Sequence, residues 1–346
     1  MALPQTEIAR KADTVFTMRP RVAPTLTDIF ARAGIADDLV AVERRLIQRT
    51  ESHSTLIAAA GKHTIAAGGK RLRAALVLLA ARQGRYSLER ALHPAAAVEL
   101  LHGASLIHDD LVDHTVQRRG RSTVHARWDN HVALMLGDYF FAAAAGELAA
   151  EPDSRIIRFY ADAARTIVEG ELHPVKQLLP LDTALRQYRR KIGAKTAVLF
   201  EAACKAGIAV AGGSDADIDA MGLFGYELGV AFQIVDDVLD FTGDEAILGK
   251  PAGNDLREGT LTLPLIYAVD SSASLLLRDF ARTLVIDPAH VANLVQAVLT
   301  SDGVVRALDD AAEAAARALR HLDRFSFSPV REACVDLLQF VLTRQS

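Results

Sequence analysis

Residues 95–113 read AAAVELLHGASLIHDDLVD, and this stretch decides the class of fold. Its apolar residues recur at the spacing of a helix and do not alternate as they would in a half-buried strand. The predicted helix ends in three carboxylates, those of Asp109, Asp110 and Asp113. Residues four positions apart project from nearly the same face of a helix, so Asp109 and Asp113 should lie together with Asp110 beside them.

The same helical spacing continues along the chain, with glycine and proline between the apolar stretches. Predicted helices cover residues 72–80, 95–113, 132–150, 162–172, 196–210, 215–240, 262–269 and 309–322. Pro94 is expected near the first turn of the second of these helices, where a proline is tolerated. Neither a βαβ unit nor a Rossmann glycine fingerprint is visible. We therefore predict an all-α protein with a single helical bundle.

The chain has 346 residues, of which 50% are hydrophobic, and its formal net charge is -4. A chain of this size can bury a large core, and it has no basic excess that would favour nucleic acid. The two cysteines, Cys204 and Cys334, have no metal-type spacing. We expect them to be buried thiols of a protein in a reducing compartment.

Residues 1–28 are predicted to be a loose N-terminal extension, because Pro20 and Pro24 interrupt any helix over residues 18–24. The extension lacks the apolar core of a signal peptide. A transit peptide is a second interpretation, which Glu7 and Asp13 disfavour. No apolar stretch is expected to span a membrane. We expect a cytoplasmic protein with one domain over residues 29–346.

A second acidic cluster, formed by Asp236, Asp237 and Asp240, repeats the spacing of the first. Like charges at the edge of an apolar core repel one another and lose hydration, so they need a counter-ion. Mg²⁺ suits such a place, since it typically takes one or two carboxylates together with phosphate oxygens. Two similar patterns are weaker candidates. Residues 37–41 lack a third carboxylate, and residues 309–313 lie in an Ala/Arg/Glu-rich stretch typical of a solvated helix face.

Basic residues lie on both sides of the first cluster. Arg118 and Arg119 carry guanidinium forks that suit phosphate oxygens, although surface ion pairs with the aspartates would also explain them. Before the cluster, the glycines at 68–69 let the backbone approach an anion closely, just ahead of Lys70 and Arg73. A plain basic helix start is the alternative for that segment.

His102 precedes Asp109 by two helical turns and lies on the same face, although a structural role is the alternative for a lone helical histidine. Further polar residues that suit phosphate are Lys195, Thr196, Gln233 and Lys250. Lys250 lies in a glycine-rich loop that could equally be a solvated turn. Two acidic clusters surrounded by cations suit a metal-held diphosphate, and the basic set Lys70, Arg73 and Arg119 suits a second diphosphate that needs no metal.

Taken together, these motifs resemble the trans-isoprenyl diphosphate synthases of the polyprenyl synthetase family. The motifs are GGKRLR at 68–73, ELLHGASLIHDDLVD at 99–113, QRRG at 117–120, LGDYFFA at 136–142, KTA at 195–197, GVAFQIVDDVLD at 229–240, GKPAGNDLREG at 249–259 and TLPLIYA at 262–268. The resemblance covers roughly residues 60–270. It implies an all-α bundle of the isoprenoid synthase type around a central substrate cavity, usually as a homodimer.

The resemblance also implies a role for each residue. Magnesium, with three ions per active site when substrate is bound, would be held by Asp109, Asp110, Asp113, Asp236, Asp237 and Asp240. The allylic diphosphate would be bound by Arg118, Lys195, Thr196, Gln233 and Lys250. Isopentenyl diphosphate would be bound by Lys70, Arg73, His102 and Arg119. Catalysis, as ionisation, alkylation and proton loss, would depend on the aspartates and on Lys195.

Three positions depart from the pattern of the family. Ala74 stands where the family often has proline, and Thr260 stands where it often has lysine. Pro174 occupies a position where glutamine is common. This proline should end the preceding helix early. None of the three departures removes a predicted metal ligand.

Product length would depend on what blocks the tunnel below the metals. Ala104 and Ser105, just before the first cluster, are small, which argues against a short farnesyl product. Candidates for a deeper block are Leu101, Phe159 and Tyr160. We predict a product of C20 or longer, with long chains of about C30 to C50 favoured. Contact with a membrane surface during product release is also expected.

Other interpretations remain open at this stage. A class I terpene cyclase shares the ionisation chemistry, but its second motif is normally not a second aspartate-rich one. A catalytically weak subunit of a two-chain synthase would have eroded aspartate motifs, and both clusters are intact. A helical scaffold protein would explain none of the polar sets.

Overall fold

The computed structural model of the protein describes residues 24–243, 252–271, 274–287 and 289–344. Lys250 and almost all of the predicted N-terminal extension lie outside these ranges. The described chain is almost wholly helical, which confirms the predicted all-α class.

In the described ranges, long and short helices follow one another with one very small hairpin between them. The helices are α1 (Leu26–Arg32), α2 (Ala36–Arg49), α3 (Thr55–Ala66), α4 (Leu72–Ala81), α5 (Leu88–Val112), α6 (Val124–Arg127), α7 (Asn130–Leu148), α8 (Ser154–Glu171), α9 (Leu181–Ile192), α10 (Val198–Val210), α11 (Asp215–Thr242), α12 (Asn254–Arg257), α13 (Leu263–Ser271), α14 (Leu275–Thr283), α15 (Val291–Leu299), α16 (Gly303–Leu322) and α17 (Pro329–Thr343). A π-helical turn, Gly193–Ala197, connects α9 to α10. Strands β1 (Gln117–Arg118) and β2 (Arg121–Ser122) pair antiparallel between α5 and α6.

Helix α4 lies at the centre of the bundle, and every residue in it except Arg73 is buried. It packs against α5 on one side and α10 on the other. Helix α10 also contacts α8 and α11, and α11 packs along α16. A helix that is apolar all round belongs inside a bundle, whereas an amphipathic helix such as α16 covers it. The two helices that carry the acidic clusters, α5 and α11, thus both pack against α10.

All eight helices predicted from the sequence are present, although α8 begins at Ser154 and α16 at Gly303, each earlier than predicted. The start of α5 was also predicted wrongly. This helix begins at Leu88, so Pro94 lies well inside it and not in its first turn. The residues before the proline are helical because Ala91 and Leu92 pack into the core. Burial of apolar surface therefore outweighs the preference of proline for a helix start.

The two weaker acidic patterns have structural roles. Asp38 accepts hydrogen bonds from Arg82 Nη2 at 2.9 Å and from the Tyr86 hydroxyl at 2.6 Å. Asp310 accepts a hydrogen bond from the Tyr267 hydroxyl at 2.9 Å. The prediction of a solvated helix face is therefore wrong for Asp310, since the carboxylate joins α16 to α13.

Helix α11 is, within the described ranges, the one helix long and apolar enough to cross a membrane by length and composition. The mean hydropathy of its most apolar window is 1.3, and 56% of that window is buried in the protein. Because α11 packs between α10 and α16, this burial is typical of a core helix. Cys204 and Cys334 are also buried, as predicted, and neither forms a disulfide.

The central pair α4 and α10 approaches closely at Gly207. A Cβ atom at this position would lie 2.3 Å from the carbonyl oxygen of Val77 and 2.6 Å from the Cβ atom of Ala80. Real Cβ atoms do not come this close to other atoms, so glycine is required for the two backbones to meet. The same test at Gly146, on α7, finds no atom within 4 Å.

These two glycines allow a matched test of the central packing. Gly207→Ala should lower the free energy of unfolding by roughly 1–3 kcal/mol, because the added methyl group forces the two helices apart. Gly146→Ala should leave stability unchanged or raise it by up to about 1 kcal/mol, since alanine favours a helix. Urea denaturation followed by circular dichroism measures both. Equal stability of the two variants would contradict this account of the core.

Candidate active site

The first acidic cluster stands at the end of α5 and meets a cation from the π-helical turn. Lys195 Nζ lies 3.3 Å from Asp109 Oδ2 and 2.9 Å from Glu171 Oε1. Burial raises the pKa of Asp109, and the Lys195 charge opposes that rise. Burial lowers the pKa of Lys195, but the two carboxylates more than offset it, so the pKa is raised overall. Lys195 therefore stays charged at the predicted metal site.

Asp110 is held by the small hairpin that follows α5. Arg118 Nε donates to Asp110 Oδ1 at 2.7 Å, and the Asp110 residue is 7% exposed. Burial raises the pKa of Asp110, while Arg118 opposes the rise. The hairpin is possible because Arg119 and Gly120, with φ of 52° and 71°, both adopt the left-handed backbone that a tight two-residue turn requires.

The second cluster contains a chain of hydrogen bonds through Asp237. The Tyr188 hydroxyl donates to Asp237 Oδ2 at 2.6 Å, and Gln233 Nε2 donates to Asp237 Oδ1 at 2.9 Å. The Thr196 hydroxyl donates to Gln233 Oε1 at 2.7 Å, which orients the amide of Gln233. Burial, followed by the charge of Asp255, raises the pKa of Asp237 to about 8. A cation bound beside this carboxyl group would therefore favour its charged form.

The other two members of this cluster have different surroundings. Asp240 is 2% exposed, and its carboxylate accepts a hydrogen bond from the backbone N–H of Asp255 at 3.1 Å. It therefore fixes the segment that begins α12. Asp236 is half exposed, and Arg344 Nη2 lies 3.1 Å from its Oδ1 atom. The same Nη2 atom donates to the carbonyl oxygen of Phe232 at 2.9 Å.

A separate basic set lies where α4 begins. The Arg73 guanidinium stands 5.0 Å from the ring centroid of Phe200, and its buried Nε atom has no hydrogen-bond partner. Burial lowers the pKa of Arg73 to about 10. Lys70 Nζ lies 5.7 Å from the ring centroid of Phe340. A buried guanidinium N–H without an acceptor fits a site that an anion completes.

His102 and Arg119 belong to the same basic set. Arg119 donates to the carbonyl oxygen of Gly68, which ties the hairpin to the glycine pair. Burial holds the pKa of His102 well below its usual value, and the charges of Arg73 and Arg119 lower it further. The imidazole is therefore neutral, and it can pack among guanidinium groups and still donate a hydrogen bond.

The structure thus brings together Lys70, Arg73, His102 and Arg119, and it brings Lys195, Thr196, Gln233 and Arg118 to the acidic clusters. Lys250 lies outside the described residues, so its predicted contact stays a prediction. A cavity beside the first cluster has Asp110, Arg118 and Arg119 on its polar side and Leu106 and Ile107 on its apolar side.

Sequence reasoning missed several residues of the site. Glu171 pairs with Lys195, Tyr188 bonds Asp237, and Arg344 pairs with Asp236. Glu99 accepts the backbone N–H of Ala74 at 3.1 Å and so fixes the first turn of α4. A single carboxylate within the apolar run of residues 94–101 was the available signal for Glu99. No local pattern pointed to Arg344.

The donor set of the two clusters fits a hard divalent cation. Among the described residues, no three His, Cys, Asp or Glu side chains are arranged to hold a metal ion by themselves. Mg²⁺ needs only one or two carboxylates from such a cluster, and the remaining ligands would be water and phosphate oxygens. Asp109, Asp110 and Asp236 each lie beside a cation, which a bound metal could supplement.

Comparison with known proteins identifies the family. The polyprenyl synthetase family profile matches residues 54–298. The chain belongs to the polyprenyl synthetase family. Heptaprenyl diphosphate synthase component 2 of Geobacillus stearothermophilus is 38% identical over 311 residues, 89% of this chain and 96% of the relative.

Solved structures of family members have the same fold. A polyprenyl synthase from Caulobacter crescentus, complexed with calcium and isoprenyl diphosphate, superposes with a TM-score of 0.87 at 34% identity, covering 94% of this chain and all (100%) of the other. A decaprenyl diphosphate synthase from Rhodobacter capsulatus gives a TM-score of 0.85 at 34% identity, covering 93% and 100%. The isoprenoid synthase fold implied by the sequence is thereby confirmed.

The hydrogen bond from Tyr188 to Asp237 can be tested directly. Tyr188→Phe should weaken Mg²⁺ binding about tenfold in the presence of inorganic diphosphate, because a carboxylate beside a metal loses its orienting partner. Isothermal titration calorimetry measures this binding. Tyr267→Phe is the matched control, since that hydroxyl bonds Asp310 outside the site. Similar losses in both variants would show that Tyr188 has no special role.

Proposed function

We propose that the protein condenses isopentenyl diphosphate head-to-tail with an allylic diphosphate to give a trans-polyprenyl diphosphate. Membership in the polyprenyl synthetase family makes it a prenyltransferase. The observation that supports these two substrates is the separation of the cations into two groups. Lys195 and Arg118 accompany carboxylates, whereas Arg73 and His102 form part of a basic set whose central guanidinium has an unsatisfied N–H.

The allylic diphosphate would lie between the two acidic clusters. Lys195 and Arg118 would bind its oxygens, with Thr196, Gln233 and Lys250 beside them. Magnesium held by the aspartates would supply Lewis-acid stabilisation of the charge on the departing diphosphate. The allylic C–O bond breaks, and its electron pair leaves with the diphosphate. The cations of Lys195 and Arg118 stabilise this leaving group because they are already held in place by carboxylates.

Isopentenyl diphosphate would be bound by Lys70, Arg73, His102 and Arg119. Its double bond attacks the allylic carbocation, a new C–C bond forms, and a proton is lost to the released diphosphate. The apolar residues around the site exclude water, which would otherwise quench the carbocation. Ala104 is fully buried and Ser105 half-buried directly behind the first cluster.

We further propose a product of C20 or longer, with long chains of about C30 to C50 favoured. No aromatic residue occupies positions 104 and 105, where one would block chain growth just below the carboxylates. Candidate residues for the floor are Leu101 and Tyr160, both buried, with Phe159 beside them. The Tyr160 hydroxyl donates to the carbonyl oxygen of Pro94 at 3.1 Å, which gives that ring a fixed position. Relatives named for heptaprenyl and decaprenyl products support the longer range.

Product length can be measured by chromatography. The purified protein with Mg²⁺, isopentenyl diphosphate and labelled farnesyl diphosphate should yield chains of C20 or longer. Ala104→Phe should shorten them, because the ring fills the space behind the first cluster. Ser105→Phe is a second variant at a less buried position, and thermal unfolding shows whether each variant is folded. A wild-type product no longer than C15 would contradict the proposal.

The assembly and location are part of the same proposal. We infer a homodimer, supported by the apolar side chains exposed on neighbouring helices, Leu134 and Met135 on α7 and Val168 on α8. The alternative is a complex with a different second subunit, because the Geobacillus relative is named component 2 of its synthase. Both acidic clusters of this chain are intact, which favours activity without a different partner. A cytoplasmic enzyme that touches a membrane surface during product release remains the expectation.

Activity of the single chain tests this choice. The purified protein should consume isopentenyl diphosphate with Mg²⁺ and an allylic primer, and light scattering should show a dimer. An inactive chain that becomes active only when cell extract is added would favour the two-subunit alternative.

A further inference from the structure

Lys191 lies on α9, in a segment of chain that contacts both acidic clusters. One turn earlier on α9, the Tyr188 hydroxyl is 2.6 Å from Asp237 of the second cluster. One turn later, in the π-helical turn, Lys195 Nζ is 3.3 Å from Asp109 of the first cluster. Residues three and four positions apart share a helix face, so Lys191 stands between these two contacts.

The π-helical turn after α9 strengthens this placement. Such turns are rare and occur frequently at functional sites. The turn begins at Gly193, where a Cβ atom would lie 2.6 Å from the Tyr226 hydroxyl oxygen, so the turn packs closely against a side chain of α11. Close packing at this point keeps the Lys191 segment against the clusters.

The surroundings of Lys191 are acidic, yet its ammonium group has no direct partner. The side chain is half-buried and makes no hydrogen bond or close ion pair with any residue in the described part of the chain. Burial lowers the pKa of Lys191. The charges of Asp237, Glu171 and Asp255 act in the opposite direction, whereas the charge of Lys195 lowers this pKa further. Asp237 of the second cluster, and Glu171, which pairs with Lys195, therefore act on this ammonium at a distance.

This separates Lys191 from the cations that pair with carboxylates around the acidic clusters. Lys195, Arg118 and Arg344 are each in contact with a carboxylate. A half-buried ammonium group loses hydration, and without a contact partner the distant carboxylates offset this loss only in part. A ligand rich in oxygen acceptors, placed between the clusters, would restore the lost interactions with all three ammonium protons.

We propose that Lys191 binds the diphosphate group that lies between the two acidic clusters, as a further cation for the allylic substrate and for the diphosphate released from it. The inference rests on the proposed function, since it assigns Lys191 to the substrate of that reaction. A compact ammonium charge suits the crowded space between two carboxylate clusters. The stabilisation grows when the C–O bond breaks, because the negative charge on the diphosphate increases.

Equilibrium binding of inorganic diphosphate tests the inference without turnover. Calorimetry with saturating Mg²⁺ should show that Lys191→Gln binds diphosphate about tenfold more weakly than the wild type, the size of one charge-assisted contact. Lys191→Arg should recover most of the affinity. Arg190→Gln is the matched control, since Arg190 is the adjacent residue of the same helix and is exposed. It removes the same charge and should leave binding unchanged.

Steady-state kinetics provides a second, independent measurement. Lys191→Gln should raise the KM for the allylic diphosphate and lower kcat, with the KM for isopentenyl diphosphate unchanged, because that substrate binds at the separate basic set. Diphosphate binding equal to the wild type in Lys191→Gln would overturn the inference. Equal losses in Lys191→Gln and Arg190→Gln would overturn it too, since only net charge would then matter.

The two proposals fail in different ways. If the wild type forms no product from isopentenyl diphosphate and an allylic primer, the proposed function is wrong, whatever Lys191 does. If the wild type is active and Lys191→Gln matches Arg190→Gln in both measurements, the function stands and the role of Lys191 is wrong.

Discussion

The whole site depends on keeping carboxylates charged at the edge of an apolar core. Burial raises the pKa of Asp109, Asp110 and Asp237, so each carboxylate needs a partner that favours its charged form. The partners come from other elements of the bundle: Lys195 from the π-helical turn and Arg118 from the hairpin. The cations that meet Asp109 and Asp110 are therefore already held in place.

The same constraint explains how the bundle is tied together around the site. Tyr188 connects α9 to α11 through Asp237, and Glu99 connects α5 to the first turn of α4 through the N–H of Ala74. The backbone approach at Gly207 holds α4 and α10 together, and the helices with the acidic clusters, α5 and α11, both pack against α10. The hydrogen bonds of Asp237 and Glu99 and the close packing at Gly207 thus hold the same group of helices together.

Much of the fold and the site could be predicted from the sequence, for reasons particular to this chain. A helix such as α4 is apolar all round, and the spacing of Asp109 and Asp113 already places them on one face. Prediction failed at Pro94, because burial of the preceding turn outweighs a local preference. It also failed at Asp310, whose bond to Tyr267 joins segments that are far apart in the sequence.

The sequence by itself determined the helical class and the two acidic clusters, because helical period and residue type are local properties of the chain. It also identified the main basic residues, since their side-chain chemistry suits phosphate wherever they lie. Only the tertiary structure decided which carboxylate meets which cation. Glu171, Lys195 and Asp109 come from three different elements, and Arg344 reaches Asp236 from the end of the described chain. Such pairs depend on distances between packed helices, and no local spacing encodes those distances.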